Sequence, residues 1–162
     1  MDTLTPHRRH SVDSLFVENR DAGIFRFSPK VYCDPDLFRD EQKRIFDRCW
    51  LYAGHESELA KPGDFLTRRV GGRPLLMVRG ADNRIRLFHN ACRHRGGMVC
   101  RERSGHARNF TCFYHYWTYG TDGALIGVPD VESYGPNFGQ SEMGLYEVRH
   151  DSYRGWIKPC PR

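Results

Sequence analysis

Residues 90–100, NACRHRGGMVC, set Cys92 and His94 one residue apart, and residues 112–117, CFYHYW, set Cys112 and His115 two residues apart. Seventeen residues separate His94 from Cys112. Two short loops, each offering one thiolate and one imidazole, can close on one metal centre if the chain between them folds back. The run RERSGHARNFTCFYH, with its Ser-Gly followed by alternating apolar residues, reads as such a return. Two cysteines and two histidines satisfy a tetrahedral zinc ion. Zinc fingers, however, place both cysteines before both histidines and put the latter on a helix, whereas here each loop carries one of each between strand-like flanks. The alternating order fits better a [2Fe–2S] cluster in which Cys92 and Cys112 hold one iron and His94 and His115 the other. Neutral imidazole brings less negative charge than thiolate, so such a centre accepts an electron more readily than an all-cysteine one.

The flanks define the fold class. CDPDLFRDEQKRIFDRCW offers Asp34 as an N-cap and Pro35 at the first helical position, with Phe38, Ile45, Phe46 and Cys49 at helical spacing; one amphipathic helix is expected within 34–49. After it the period shortens. WLYAGH, GDFLTRRV, PLLMVRG, RIRLFHN, NFTCFYH, ALIGV, LYEVR and YRGWIK are short, aromatic and β-branched, and are separated by KPG, GADN, GTDG and YGPNFGQ. MVRGADNRIRLFHN reads as a hairpin turning at Gly80–Asn83. The expectation is a mainly β, antiparallel sandwich domain over about residues 50–158, behind one helix and a lead-in over 1–33, with an atypical end at 159–162.

Composition bounds the function. A chain of 162 residues suffices for one domain with a single core. The six cysteines are scattered and no secretory signal precedes them, so a reducing, cytoplasmic compartment is expected, where thiols more often bind metals than pair. The start, MDTLTPHRRHSVDSLF, has the Arg and Ser of a targeting peptide but also Asp2 and Asp13, and reads as a mobile tail. No apolar run approaches a membrane span. The formal charge of +5 is mild and forms no basic stripe, which argues against nucleic acid. The ordinary reading is a solvated basic surface; the sharper alternative is that Arg93, Arg95, Arg101, Arg103 and Arg108, around the Cys/His loops, make a local positive field that steers an acidic protein partner.

CRHRGGMVC and CFYHYWTYGTDGALIGVP together resemble the Rieske segment of the large (alpha) subunit of aromatic ring-hydroxylating dioxygenases, the Rieske non-haem iron oxygenases. The likeness covers the four ligand positions, the His-Arg-Gly after the first pair, and the Trp-x-Tyr, Asp-Gly and Gly-Val-Pro after the second. Upstream, DEQKRIFDRCWLYAGHESELAKPGDFLTRRVGGRPLLMVRG looks like the lead-in of the same subunit, so the resemblance runs from about Lys30 to Ile157. It implies a Rieske-type [2Fe–2S] domain fold, electrons arriving from a ferredoxin or flavin-dependent reductase, possible further oxygenase subunits, and onward transfer to a mononuclear Fe(II) in a larger C-terminal domain. That iron is held by two histidines and a carboxylate, whereas beyond His115 this sequence has only His150; the chain alone is therefore expected not to oxygenate a substrate, and reads as a truncated subunit. A stand-alone Rieske ferredoxin and a zinc-stabilised binding module are the alternatives. In cytochrome-complex Rieske proteins each ligand loop adds a disulfide cysteine, which Arg95, Gly96 and Gly97 do not supply. The common family pattern Pro-Tyr-His-Gly-Trp appears here as Phe113-Tyr114-His115-Tyr116-Trp117, a departure at two positions.

The other candidates have ordinary readings. Gly96, Gly97 and Gly120 are turn residues, and Trp117 is expected to pack beneath the loops and exclude water. Cys33, Cys49, Cys100 and Cys160 lack ligand spacing, and His55, His89, His106 and His150 are lone histidines.

Overall fold

The computed structural model describes residues 14–160, so most of the expected N-terminal tail, MDTLTPHRRHSVDSLF, and the last two residues lie outside the described residues. The chain divides into two compact units, residues 1–47 and 48–162.

In the first unit, a hairpin of β1 (Phe16–Asn19) and β2 (Ile24–Phe27) precedes α1 (Lys30–Cys33) and α2 (Pro35–Glu41). The lead-in is thus more structured than its sequence suggests: Phe16, Phe25 and Phe27 form a chain of ring contacts at 5.9 and 4.9 Å along the hairpin. Asp34 caps α2 as expected, its side chain accepting from the Asp36 and Leu37 N–H groups. The expected single helix over 34–49 is corrected: regular α-helix stops at Glu41 and a π-helical turn, Gln42–Phe46, follows. A π turn widens the spiral, so Phe38 and Ile45 do not share one regular stripe.

The second unit is built from three antiparallel sheets. Strands β3 (Gly54–His55), β4 (Asp64–Val70), β5 (Arg73–Arg79), β6 (Ile85–His89), β7 (Ser104–His106), β8 (Asn109–Thr111), β9 (Thr118–Gly120), β10 (Leu125–Gly127), β11 (His150–Tyr153) and β12 (Trp156–Pro159) follow in order. The central sheet runs β6-β5-β4-β7, flanked by β10-β9-β8 and β11-β12-β3. Alternation along β5 explains why it is central. Leu76 and Val78 point into a core with Phe110, Trp117, Tyr119 and Leu125, while Leu75 and Met77 point into another with Ala53, Leu59 and Ile157. Neighbouring β6 divides likewise, with Phe88 in the first core and Leu87 in the second.

Turn chemistry sets the registers. Gly71 and Gly72, at φ +54° and +78°, close β4 on β5 with Val70 opposite Arg73, the two-residue turn whose twist matches paired strands. The expected hairpin at Gly80–Asn83 forms, with Asn83 left-handed and Arg79 opposite Ile85. Expected strand LYEVR supplies only one bridge, Glu147 to Phe88, and the short strands β7, β9 and β11 carried too few apolar residues to stand out in sequence. Among the described residues no helix is long and apolar enough to cross a membrane.

Asp64 fastens β4 to β7. Its carboxylate accepts from the Lys61 N–H at 2.8 Å and meets His106 Nδ1 at 3.0 Å. The His106 hydrogen bond, then the Lys61 one, holds this carboxyl below the usual carboxylate range. A depressed folded-state value gives stability that is complete above the unfolded value, near 4, and is lost as pH falls through the folded one. Asp64→Asn should therefore flatten the acid side of a melting-temperature profile below about pH 4; an unchanged acid limb would contradict the assignment.

Candidate metal centre

Two loops at one end of the central core bring the sequence-predicted ligands together. The first follows β6 and carries Cys92 and His94; the second joins β8 to β9 and carries Cys112 and His115. Both have the same backbone frame. Gly96 N donates to Cys92 O at 2.8 Å and Cys92 N to Gly97 O at 2.7 Å; Tyr116 N donates to Cys112 O at 2.9 Å and Cys112 N to Trp117 O at 2.8 Å. Each loop thus holds its cysteine at the base of a tight turn, and in each the residue four places on is left-handed, Gly96 at φ +70° and Tyr116 at φ +58°.

The thiols of Cys92 and Cys112 are both buried, and the imidazoles of His94 and His115 lie 4.5 Å apart between ring centroids. Burial first, then the neighbouring Cys112, pushes the Cys92 thiol up, so two thiolates here need a cation between them. His94 Nδ1 is buried and has no hydrogen-bond partner, which is costly for a ring nitrogen unless a metal takes it. Among the described residues no group of three or more His, Cys, Asp or Glu side chains closes on a single ion. The four side chains form a thiol pair and an imidazole pair, which suits two irons with two protein ligands each better than one tetrahedral zinc. On these observations the donor set fits a [2Fe–2S] group.

Three residues outside the Cys/His pattern shape the site. Asn90 is the one fully buried polar residue among the described residues, and it staples the first loop shut. Its Oδ1 accepts from Val99 N at 3.1 Å and Cys100 N at 2.9 Å, and its Nδ2 donates to Cys100 O at 2.7 Å. Tyr119, fully buried on β9, places its hydroxyl 3.1 Å from Cys92 Sγ while accepting from Arg93 N at 3.0 Å. With the Arg93 N–H already directed at its oxygen, the hydroxyl proton is free to point at the sulfur. Tyr134 accepts from Trp117 Nε1 at 3.2 Å and belongs to an aromatic group with Phe138. Trp117, buried as expected, stacks its ring on His94 at 4.9 Å and 10°. Burial first, with the charges of His115 and Arg95, lowers the His94 pKa and favours the neutral imidazole that a metal requires.

The remaining sequence candidates have structural roles. Cys33 and Cys49 are exposed, and Cys160 is buried. The Cys100 thiol, buried beside Glu102, is pushed up to about 11. His55 caps a 3-10 turn, His106 pairs with Asp64, His150 bridges Val148 O and Ile85 O, and His89 is half-buried in β6. Asn90 and Tyr134 left no signal in the sequence, because one lies outside the ligand pairs and the other in a stretch that reads as a turn.

A cluster-binding β domain is the class that this fold and site define. A family model described as the Rieske [2Fe-2S] domain matches residues 49–147, and the chain belongs to that family. Among its relatives, biphenyl 2,3-dioxygenase subunit alpha of Rhodococcus jostii (strain RHA1) is 41% identical over 145 residues, covering 90% of this chain and 32% of that protein. Chlorobenzene dioxygenase subunit alpha of Cupriavidus sp. (strain PS12) is 44% identical over 147 residues, covering 90% and 32%. The chain thus spans about a third of the length of these relatives. Among solved structures, naphthalene 1,2-dioxygenase from Rhodococcus sp. bound to indole superposes with a TM-score of 0.78 at 36% identity, covering 82% of this chain and 30% of that one. A quaternary ammonium Rieske monooxygenase superposes with a TM-score of 0.74 at 31% identity, covering 82% and 38%.

Proposed function

We propose that residues 50–158 form an electron-transfer domain in which Cys92 and Cys112 ligate one iron of a [2Fe–2S] centre and His94 and His115 the other. The observation that carries this reading is the buried, unpartnered His94 Nδ1 in a site where two thiols and two imidazoles face each other in pairs. When bound, the centre supplies reversible one-electron chemistry. The chain's own residues do the rest. Tyr119 directs a proton at Cys92 Sγ and so favours added negative charge; Trp117 holds the His94 ring plane; Asn90 fixes the loop that carries both.

In this reading the domain receives electrons from a ferredoxin or flavin-dependent reductase and passes them toward a mononuclear Fe(II) site of an aromatic ring-hydroxylating dioxygenase. The family resemblance to alpha subunits named for biphenyl, chlorobenzene and benzene supports that placement; the compartment proposed with it is the cytoplasm, where the cysteines would stay reduced. One domain architecture serves relatives named for aromatic and for quaternary ammonium substrates, so substrate choice lies outside these residues.

Anaerobic reconstitution tests the ligand set. The chain should take up two irons and two sulfides, and Cys112→Ala or His115→Ala should lose most of that iron while keeping a β-sheet circular-dichroism spectrum. Uptake of one zinc in preference to iron, or full iron retention by both variants, would contradict the assignment. The 162-residue chain alone should show no turnover of an aromatic hydrocarbon with donor and oxygen present.

A further inference from the structure

We infer that the loop carrying Cys112 and His115 presents an aromatic docking surface, anchored by Tyr116 and Phe113, for an electron-donor protein with an acidic contact face. This rests on the electron-transfer reading above and names the partner of that same site.

The two ligand loops share one hydrogen-bond frame but differ at the left-handed position. Gly96 adopts φ +70° without strain; Tyr116 adopts φ +58° although a Cβ disfavours that conformation. The backbone of Tyr116 serves the loop, its N–H donating to Cys112 O at 2.9 Å and its C=O accepting from Thr118 Oγ1 at 3.2 Å, but its ring plays no part in that turn. The Tyr116 side chain is 65% exposed, and among the described residues its hydroxyl and ring have no partner. The turn needs only a left-handed backbone, which Gly96 supplies in the sister loop, so a large exposed ring kept here at a cost points to a contact made outside the chain.

The neighbouring residues extend the surface. Phe113 and Tyr114 are both exposed, and a row of contacts runs from the Arg101 guanidinium, 3.3 Å from the Phe113 ring, through Phe113–Tyr114 at 6.2 Å to Tyr114–His115 at 3.9 Å. The row ends on a proposed ligand. Phe113 and Tyr116 are also the two positions at which this loop departs from the family pattern, and both departures add exposed ring. Large rings beside arginine are the composition of interface anchors.

Charge selects the occupant. Arg101 is exposed on the Phe113 ring and Arg95 is exposed near His94, whereas Glu102 is turned back onto Cys100 Sγ and Arg101 N. A second copy meeting this face through a two-fold axis would oppose arginine to arginine. An acidic donor would be steered onto it.

The test uses the cluster-loaded 162-residue chain with a reduced, acidic plant-type [2Fe–2S] ferredoxin as probe and dithionite as a reductant too small to dock. In the stopped flow the ferredoxin loses one electron and the chain's centre gains one. Phe113→Ala/Tyr116→Gly should raise the ferredoxin Kd, read by fluorescence anisotropy, about tenfold and slow ferredoxin-driven reduction at sub-saturating concentration in proportion. Its dithionite rate and electron paramagnetic resonance spectrum should be those of the wild type. Tyr116→Gly alone should raise the melting temperature, because glycine accepts the left-handed backbone. Arg95→Glu should weaken binding and flatten its salt dependence. An unchanged Kd in the double variant, or a wild-type chain that does not bind the ferredoxin, overturns the docking surface. So does a wild-type dimer that the double variant dissolves, which would give the face to a second copy. Tight binding, sensitive to the double variant, without electron uptake would instead uphold the surface and sink the electron-transfer reading.

Discussion

Asn90→Ala should destabilise the domain by about 3–5 kcal/mol, because it leaves three buried backbone groups without partners at about 1–3 kcal/mol each. Those groups are the Val99 and Cys100 N–H and the Cys100 C=O, all at the neck of the first ligand loop. A domain of this size has roughly 5–15 kcal/mol in total, so the loss should appear as a large drop in the urea midpoint. The loop between residues 90 and 100 has little else to close it: Cys92 and Gly97 are paired by one short hydrogen bond, and Gly96 N reaches back to Cys92 O. Opening the neck should also release iron faster under a chelator. Asn90→Asp keeps both acceptor bonds but loses the donor and buries a carboxylate, so it should fall between wild type and alanine only at acid pH, where the carboxyl is protonated. A midpoint shift worth less than about 1 kcal/mol for the alanine variant would show that the staple is redundant.

Tyr119→Phe should lower the midpoint potential. The hydroxyl lies 3.1 Å from Cys92 Sγ, and with Cys92 a metal-bound thiolate, as proposed, only the hydroxyl can donate, to a sulfur that carries more negative charge after electron uptake. If that bond favours the reduced state by roughly 1 kcal/mol more than the oxidised, its loss shifts a one-electron couple by about 40 mV to the negative. The same change strands the Arg93 N–H, which Tyr119 accepts at 3.0 Å, so a smaller loss of stability accompanies it. The two effects separate: Tyr119→Phe should change potential more than melting temperature, Asn90→Ala the reverse. A potential that does not move would show that the proton of Tyr119 points away from the sulfur.

The two Cys/His pairs stand out in sequence because thiol and imidazole recur at close spacing over a few positions, and the structure brings those four residues to one place. The β4–β5 and β5–β6 hairpins were legible for a similar reason: Gly71-Gly72 and Gly80–Asn83 are local turn signals between strongly apolar strands. What stayed hidden depends on distant partners. Asn90 acts across ten residues of loop, and Tyr134 reaches Trp117 across seventeen; neither distance leaves a periodic trace. Apolar spacing continues past Glu41 to Cys49 and so suggests one helix over 34–49, while the backbone takes a π turn at Gln42–Phe46 that spacing alone does not reveal. The β1–β2 hairpin leaves little trace in sequence because its apolar residues, Phe16, Val17, Ile24, Phe25 and Phe27, sit in a segment whose charged start reads as a tail.

The most direct test of the central claim is pulsed electron paramagnetic resonance on the reduced, reconstituted chain grown with 15N-histidine. Two strongly coupled histidine nitrogens are expected, one lost in His94→Ala and the other in His115→Ala wherever residual cluster remains. A reduced cluster with no coupled histidine nitrogen would mean that thiols alone hold the iron, and the assignment of His94 and His115 would fail.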